Sequence, residues 1–283
     1  MRRLVAAAAV GLMLSGCATG TGDTGAGGTG HAWLVDVPAS DPVDLVGLWR
    51  VTDADGEGDP AWLRLTPGSY QLWRDCGGFV EGGWEVSSRV FVASAPFAST
   101  GSCPVDPWPT AEWLTDARAY RASDGGWELL DASGERLARL TVDGAPEPIP
   151  NALPEYAQAP EVTDDVRAAF AGPAPLPAVF SAATAGELVG RWEPAGTGAH
   201  GSFVELSADG TWTGSDGCND AGGAWGVDDG GLLLATSGIT TAIGCDGVAV
   251  TYWLSAAARA AFDGGVLVLL DVDGAELGRL SRR

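Results

Sequence analysis

The residues of this chain best equipped for chemistry are its five cysteines. Cys17 stands alone near the N-terminus. Cys76 and Cys103 are 27 positions apart, as are Cys218 and Cys245, and the second pair follows the first by 142 positions. Paired thiols can close disulfides, hold a metal or run a redox exchange. Metal binding is disfavoured, because no Cys-x-x-Cys occurs and the two histidines, His31 and His200, stand apart from each other and from the paired thiols. A redox pair usually sits close in sequence, unlike these. Structural disulfides Cys76–Cys103 and Cys218–Cys245 are therefore expected, with crossed links between the pairs as the alternative. Closing a loop of this length stabilises a fold by about 3–4 kcal/mol.

Other chemistry is limited by missing residue types. All 16 basic residues are Arg, so there is no Schiff-base lysine, P-loop lysine or Ser-Lys pair. A Ser-His-Asp triad would depend on His200 alone, and no Gly-x-Ser-x-Gly elbow occurs. Asp216, Asn219 and Asp220 offer oxygen ligands around Cys218, and Asp271 with Asp273 resembles a fragment of a calcium loop. Their spacing matches no complete loop, and these residue types also build turns. The 37 acidic residues single out no carboxylate pair for glycoside hydrolysis. Trp62, Tyr70, Trp73, Trp84, Trp108, Trp113 and Trp127 crowd the first half, as core fillers or as a face that stacks on a sugar or apolar ligand. No catalytic residue, cofactor or metal ligand is predicted. The net charge of −21 repels nucleic acid phosphates.

The elements that carry these residues come in two copies. Leu45-Val46-Gly47-Leu48-Trp49 matches Leu188-Val189-Gly190-Arg191-Trp192, and Gly83-Trp84-Glu85-Val86 matches Ala224-Trp225-Gly226-Val227. Trp113-Leu114 matches Trp253-Leu254, and Leu130-Asp131 through Leu140 matches Leu270-Asp271 through Leu280. Short β-rich runs between Gly, Asp and Ser turns read as antiparallel strands. In the second copy they cover Val189 to Glu193, Ser202 to Leu206, Thr211 to Ser215, Gly223 to Val227, Leu232 to Thr236, Val266 to Asp271 and Ala275 to Leu280. Helical spacing over Thr110 to Tyr120 and Val248 to Phe262 predicts one helix per copy. Between the copies, Gly144 to Gly186 is rich in Pro and Ala and reads as a semi-extended linker. Within it, Thr163 caps a short helix over Val166 to Ala171.

The N-terminus has a basic start, an apolar run of about 11 residues and small residues before Cys17, which together read as a secretory signal. A spanning helix needs roughly 20 residues. Leu14-Ser15-Gly16-Cys17 resembles the bacterial lipobox, which implies cleavage before Cys17 and its acylation. An ordinary signal cut after Ala18 is the alternative. The lipobox resemblance implies a protein anchored in the lipid bilayer through Cys17 and facing outside the cytoplasm. Ala18 to Gly30 is a Gly/Thr/Ala tether.

In the second copy, Gly217-Cys218-Asn219, Gly222-Gly223-Ala224-Trp225 and Thr240-Thr241-Ala242-Ile243-Gly244-Cys245 resemble the META domain, an HslJ-like family. The first copy departs from that pattern, with Asp75-Cys76-Gly77 and Thr100-Gly101-Ser102-Cys103, and is similar to a diverged META domain. The resemblance implies an all-β fold class with one short helix per domain: two tandem small barrel-like META domains of lipocalin-like topology. It implies envelope proteins linked to stress and no established enzymatic activity. The Gly-x-Trp opening each copy is similar to lipocalin-type barrels, whose Trp is covered by an Arg from the last strand. That resemblance pairs Trp49 with Arg139 and Trp192 with Arg279. The expected layout is signal 1–16, anchor and tether 17–43, first domain 44–143, linker 144–186 and second domain 187–283. The expected role is non-enzymatic, structural or protective. The alternative is a binding module for a cell-wall glycan, a small apolar ligand or a protein partner, with a carboxylate hydrolase ranking third.

Overall fold

The computed structural model describes residues 37–103, 109–150, 152–196, 201–238, 240–241, 243–244 and 246–283. Cys17, the signal, His31, Trp108, His200 and Cys245 lie outside them. The first half begins with a 3-10 turn at Pro42–Leu45, capped where the Asp41 carboxylate accepts from the Val43 amide. Strands β1 (Gly47–Thr52), β2 (Trp62–Thr66), β3 (Ser69–Arg74), β4 (Gly78–Val86), β5 (Phe91–Ala93) and β6 (Ala98–Gly101) follow. Helix α1 (Glu112–Thr115) then leads into β7 (Ala119–Ser123), β8 (Gly126–Leu130) and β9 (Arg136–Thr141). The connecting segment carries α2 (Asp164–Ala169), β10 (Ser181–Ala182) and α3 (Ala185–Leu188). The second half repeats the first with β11 (Gly190–Pro194), β12 (Phe203–Leu206), β13 (Thr211–Ser215), β14 (Asp220–Asp228) and β15 (Leu232–Ala235), then α4 (Val250–Ala256), β16 (Arg259–Asp263), β17 (Val266–Leu270) and β18 (Glu276–Arg282).

The first half is one sheet in the order β5-β4-β3-β2-β1-β9-β8-β7, with β6 beside β4. Its ends meet where Val90 bridges Ala119 and the Phe91 amide donates to the Arg118 carbonyl at 3.0 Å. In the second half the order β10-β16-β15-β14-β13-β12-β11-β18-β17 returns on itself through β16–β17. Meeting ends satisfy backbone groups that an open edge would leave bare.

Period-two alternation sends one face of each strand inward. The first interior holds Leu63, Leu65, Tyr70, Leu72, Trp84 and Phe91, with Trp113 and Leu114 delivered by α1. The second holds Trp192, Trp212, Trp225, Leu233, Leu267 and Leu269, with Val250 and Leu254 from α4. The polar tips of these rings are bonded alike in both halves. Trp49 donates to the Leu45 carbonyl at 2.8 Å and Trp192 to Leu188 at 2.7 Å. Trp84 donates to Thr66 at 2.6 Å and Trp225 to Ser207 at 3.0 Å. Tyr70 donates to Ser94 at 2.9 Å, and its counterpart Trp212 to Thr236 at 2.8 Å. Each ring is thus buried with its one donor satisfied.

Two helix expectations are corrected. The helices stop at Thr115 and Ala256, and the stretches that follow are β7 and β16. Ala257 already has extended backbone angles. Alanine fits either conformation, and pairing along the full length of β17 outweighs local helix propensity at Arg259–Asp263.

The arginine pairings are corrected as well. Arg282, directly opposite Trp192 across β11 and β18, lies 4.8 Å from the Trp192 ring centroid. Arg279 instead meets Asp263 at 2.7 Å and Glu276 at 3.0 Å. An odd offset along a strand reverses the face, so Arg279 cannot share the side that Leu280 and Arg282 take. In the first half, Arg139 likewise faces out to Glu128 at 3.4 Å, and the counterpart of Arg282 is the exposed Val142.

The Pro-rich segment packs against both halves rather than merely spanning them. Arg64 donates to the Gln158 carbonyl at 3.1 Å, and Tyr156 meets Phe79 edge-on at 5.6 Å. Phe170 approaches Trp84 at 6.0 Å, and the Ala174 amide donates to the Val272 carbonyl at 2.9 Å. Its helix starts earlier than expected, at Asp164, with Thr163 accepting from the Val166 amide at 3.3 Å.

Candidate functional site

The predicted site residues play structural parts where they are described. Cys76 and Cys103 are joined by a disulfide with Cα atoms 4.8 Å apart. Cys218 is disulfide-bonded, and its expected partner Cys245 lies outside the described residues. The oxygen cluster beside Cys218 is a staple. Asp216 accepts from the Cys218 and Asn219 amides at 2.8 and 2.7 Å. Asn219, 7 % exposed, donates to Asp216 and to the Ile243 carbonyl, and its own carbonyl accepts from the Thr241 hydroxyl and the Ile243 amide, both at 2.7 Å. Asp271 likewise closes its hairpin by accepting from the Asp273 and Ala275 amides. Among the described residues no three of His, Cys, Asp and Glu come together as a metal-holding group.

The crowded aromatics of the first half divide between two jobs. Tyr70, Trp84, Trp113 and Trp127 fill the interior. Trp62 and Trp73 pack outside it with Phe79, Tyr156 and Ala157 of the connecting segment. There Trp73 is buried and Trp62 half-buried.

A cleft of about 560 Å³ lies between the two halves. It arises from the way the outer faces of matching strands meet. β5 packs on β14, and β15 packs on β4, an exchange of equivalent elements like that across a two-fold dimer. Ser87 and Asp228 hold the same place in their copies, and they meet directly, hydroxyl to carboxylate, at 2.6 Å. On one side of this contact the faces are close. Gly226 lets Val90 and Val92 approach, for a Cβ there would lie 2.8 Å from Val90 Cγ1. Arg118, 7 % exposed, reaches across to donate to the Asp209 carbonyl beside Gly210. A cavity of about 430 Å³ remains on this side, lined among the described residues by no charged side chain.

On the other side each closing residue is replaced. Where the second copy has Gly226, the first has Glu85, opposite Leu232 and Leu234. Where the first copy has Arg118, the second has Ala258, near Pro67 and Gly68. The cleft is therefore the gap left by a missing arginine, with a carboxylate at its wall. Phe170 to Pro173 of the connecting segment border it. The Glu85 side chain is exposed to the solvent of the cleft, yet the protein crowded around it raises its carboxyl to about 7. It has no hydrogen bond or ion pair with any described residue. The arginines in the wall are already engaged: Arg89 by Asp229 at 2.5 Å and Asp228 at 3.6 Å, and Arg259 by the Ala174 and Gly230 carbonyls, both at 2.8 Å.

Sequence reasoning did not single out Glu85. The signal was present, since aligning the copies sets Glu85 against Gly226, a charge against a glycine between two matching apolar positions. Comparison of the chain with protein families, with characterised proteins and with solved structures returns no match.

Proposed function

We propose that this chain is a lipid-anchored envelope protein of the META (HslJ-like) kind, built from two barrel-like units and serving a structural or protective role without catalysis. One observation carries this reading. Both interiors are filled by buried aromatic and Leu side chains, and three matched pairs of rings have their polar tips bonded in the same way, which supports a packed scaffold rather than a container. The anchor rests on Leu14 to Cys17. Stable anchoring needs more than one acyl chain, which acylation of Cys17 on sulfur and amine would supply. Cys17→Ala should move the protein from the membrane fraction to the soluble fraction on fractionation of cells; retention in the membrane would overturn the anchor.

The cleft between the halves favours a second reading, a binding module for a small apolar ligand. Ligand sites lie preferentially at unit interfaces, as concave and mostly apolar walls with a few polar groups. The cleft divides its surface about evenly between polar and apolar atoms, and its volume falls within the range such sites occupy.

A further inference from the structure

Two identical faces meeting about an axis would leave two identical gaps. Here the gaps differ, and two positions mark the difference. One side receives Gly226 and the crossing Arg118; the other receives Glu85 and Ala258. The result is an open cleft whose walls are about half apolar, with an exposed carboxylate that has no partner among the described residues. An unpaired carboxylate beside apolar side chains suits a ligand that brings both a cation and apolar surface.

We propose that this cleft binds small amphipathic amines, Glu85 serving as counter-ion to the ammonium group and Leu232, Leu234 and Phe170 covering the apolar body. This rests on the binding reading above and extends it to a ligand class and a charge-reading residue. The other charged groups at the cleft are Arg89 beside β4, Asp228 and Asp229 at the end of β14, and Arg259 on β16. Pro67–Gly68, residues 169–173 and Ser255–Ala258 contribute none. With Arg89 held by its two aspartates and Arg259 by backbone carbonyls, Glu85 is the free charge available to a ligand among the described residues.

The geometry has a pH consequence with a definite sign. The carboxyl sits at about 7, so at pH 5 an amine must displace its proton, and at pH 8 it meets a carboxylate. An alkylamine stays protonated throughout, its pKa being about 10 like that of lysine. Affinity for an amine should therefore rise between pH 5 and 8, and affinity for the matching alcohol should not.

The test is calorimetric titration of the whole protein with hexylamine and with 1-hexanol at pH 5, 6.5 and 8. Hexylamine should bind at least tenfold more tightly at pH 8 than at pH 5. Glu85→Gln, close in shape, should weaken hexylamine at pH 8 about tenfold, flatten its pH dependence and leave hexanol unchanged. Ala258→Arg, which copies Arg118 into the open side, should abolish binding of both. Glu85→Gln keeps the test decisive should Ala258→Arg fail to fold. Equal binding of amine and alcohol, or amine binding that is indifferent to Glu85→Gln, would overturn the amine proposal and leave an apolar-ligand module standing. Binding of neither probe would overturn both.

Discussion

Asn219 shows how a short motif acts through one side chain. Both ends of its amide are used, tying the turn at Asp216 to the segment that carries Thr241 and Ile243. Removing the amide orphans buried donors and acceptors on two segments at once. Asn219→Ala should cost about 2–3 kcal/mol in urea denaturation, whereas Asn219→Asp should cost less in acid than at neutral pH, where its charge meets Asp216. A value near zero for Asn219→Ala would remove the staple from the account of Gly-Cys-Asn. The first copy has Gly77 at this place and reaches the same end differently. There β6 pairs with the start of β4, with Gly78 opposite Gly101. The disulfide and its neighbouring strands survive in that copy although the asparagine does not.

Among the elements, β4 and β14 do the most positioning. Each sends Trp84 or Trp225 inward and presents the next residue, Glu85 or Gly226, to the other half. Gly226→Leu should push Val90 and Val92 away and open the contact between halves without disturbing either interior. Trypsin should then cut the connecting segment at Arg167 faster than in the wild type while near-UV circular dichroism stays native-like; unchanged cleavage would show that the contact tolerates a side chain. Much at this scale was legible in sequence. Strand positions in the second copy followed from β-rich runs between turn residues, and Thr211–Ser215 matches its expected bounds. β16 was not legible, because Arg259–Asp263 owes its conformation to β17, a partner that a local window does not contain. The Trp192–Arg282 contact was missed for a different reason: the resemblance to lipocalin-type barrels points to an arginine of the last strand but does not say which face it takes. The cleft was hidden most fully, since it depends on how the outer faces of the two copies meet.

Taken whole, the molecule behaves as two packed units joined by matched faces, a connecting segment and shared polar contacts. Cys76–Cys103 closes a loop within the first unit. Because β5 and β15 each pack on the other unit's strand, loss of that closure should be felt across the chain. Cys76→Ser with Cys103→Ser should lower stability by about 3–4 kcal/mol, and the thermal transition should shift as one. Should only the first unit unfold early, the contact between the halves is too weak to couple them.

The meeting of Ser87 with Asp228 carries a consequence beyond stability. In a pair of separate identical chains, any change at an axis position appears on both sides, so a serine could never face an aspartate there. A single chain holding both copies is released from that rule. Each face can vary alone, one sealed by Gly226 and Arg118 and the other left open by Glu85 and Ala258. Duplication within one polypeptide thus turns a symmetric contact surface into a directional one, with a closed side and a receptive side.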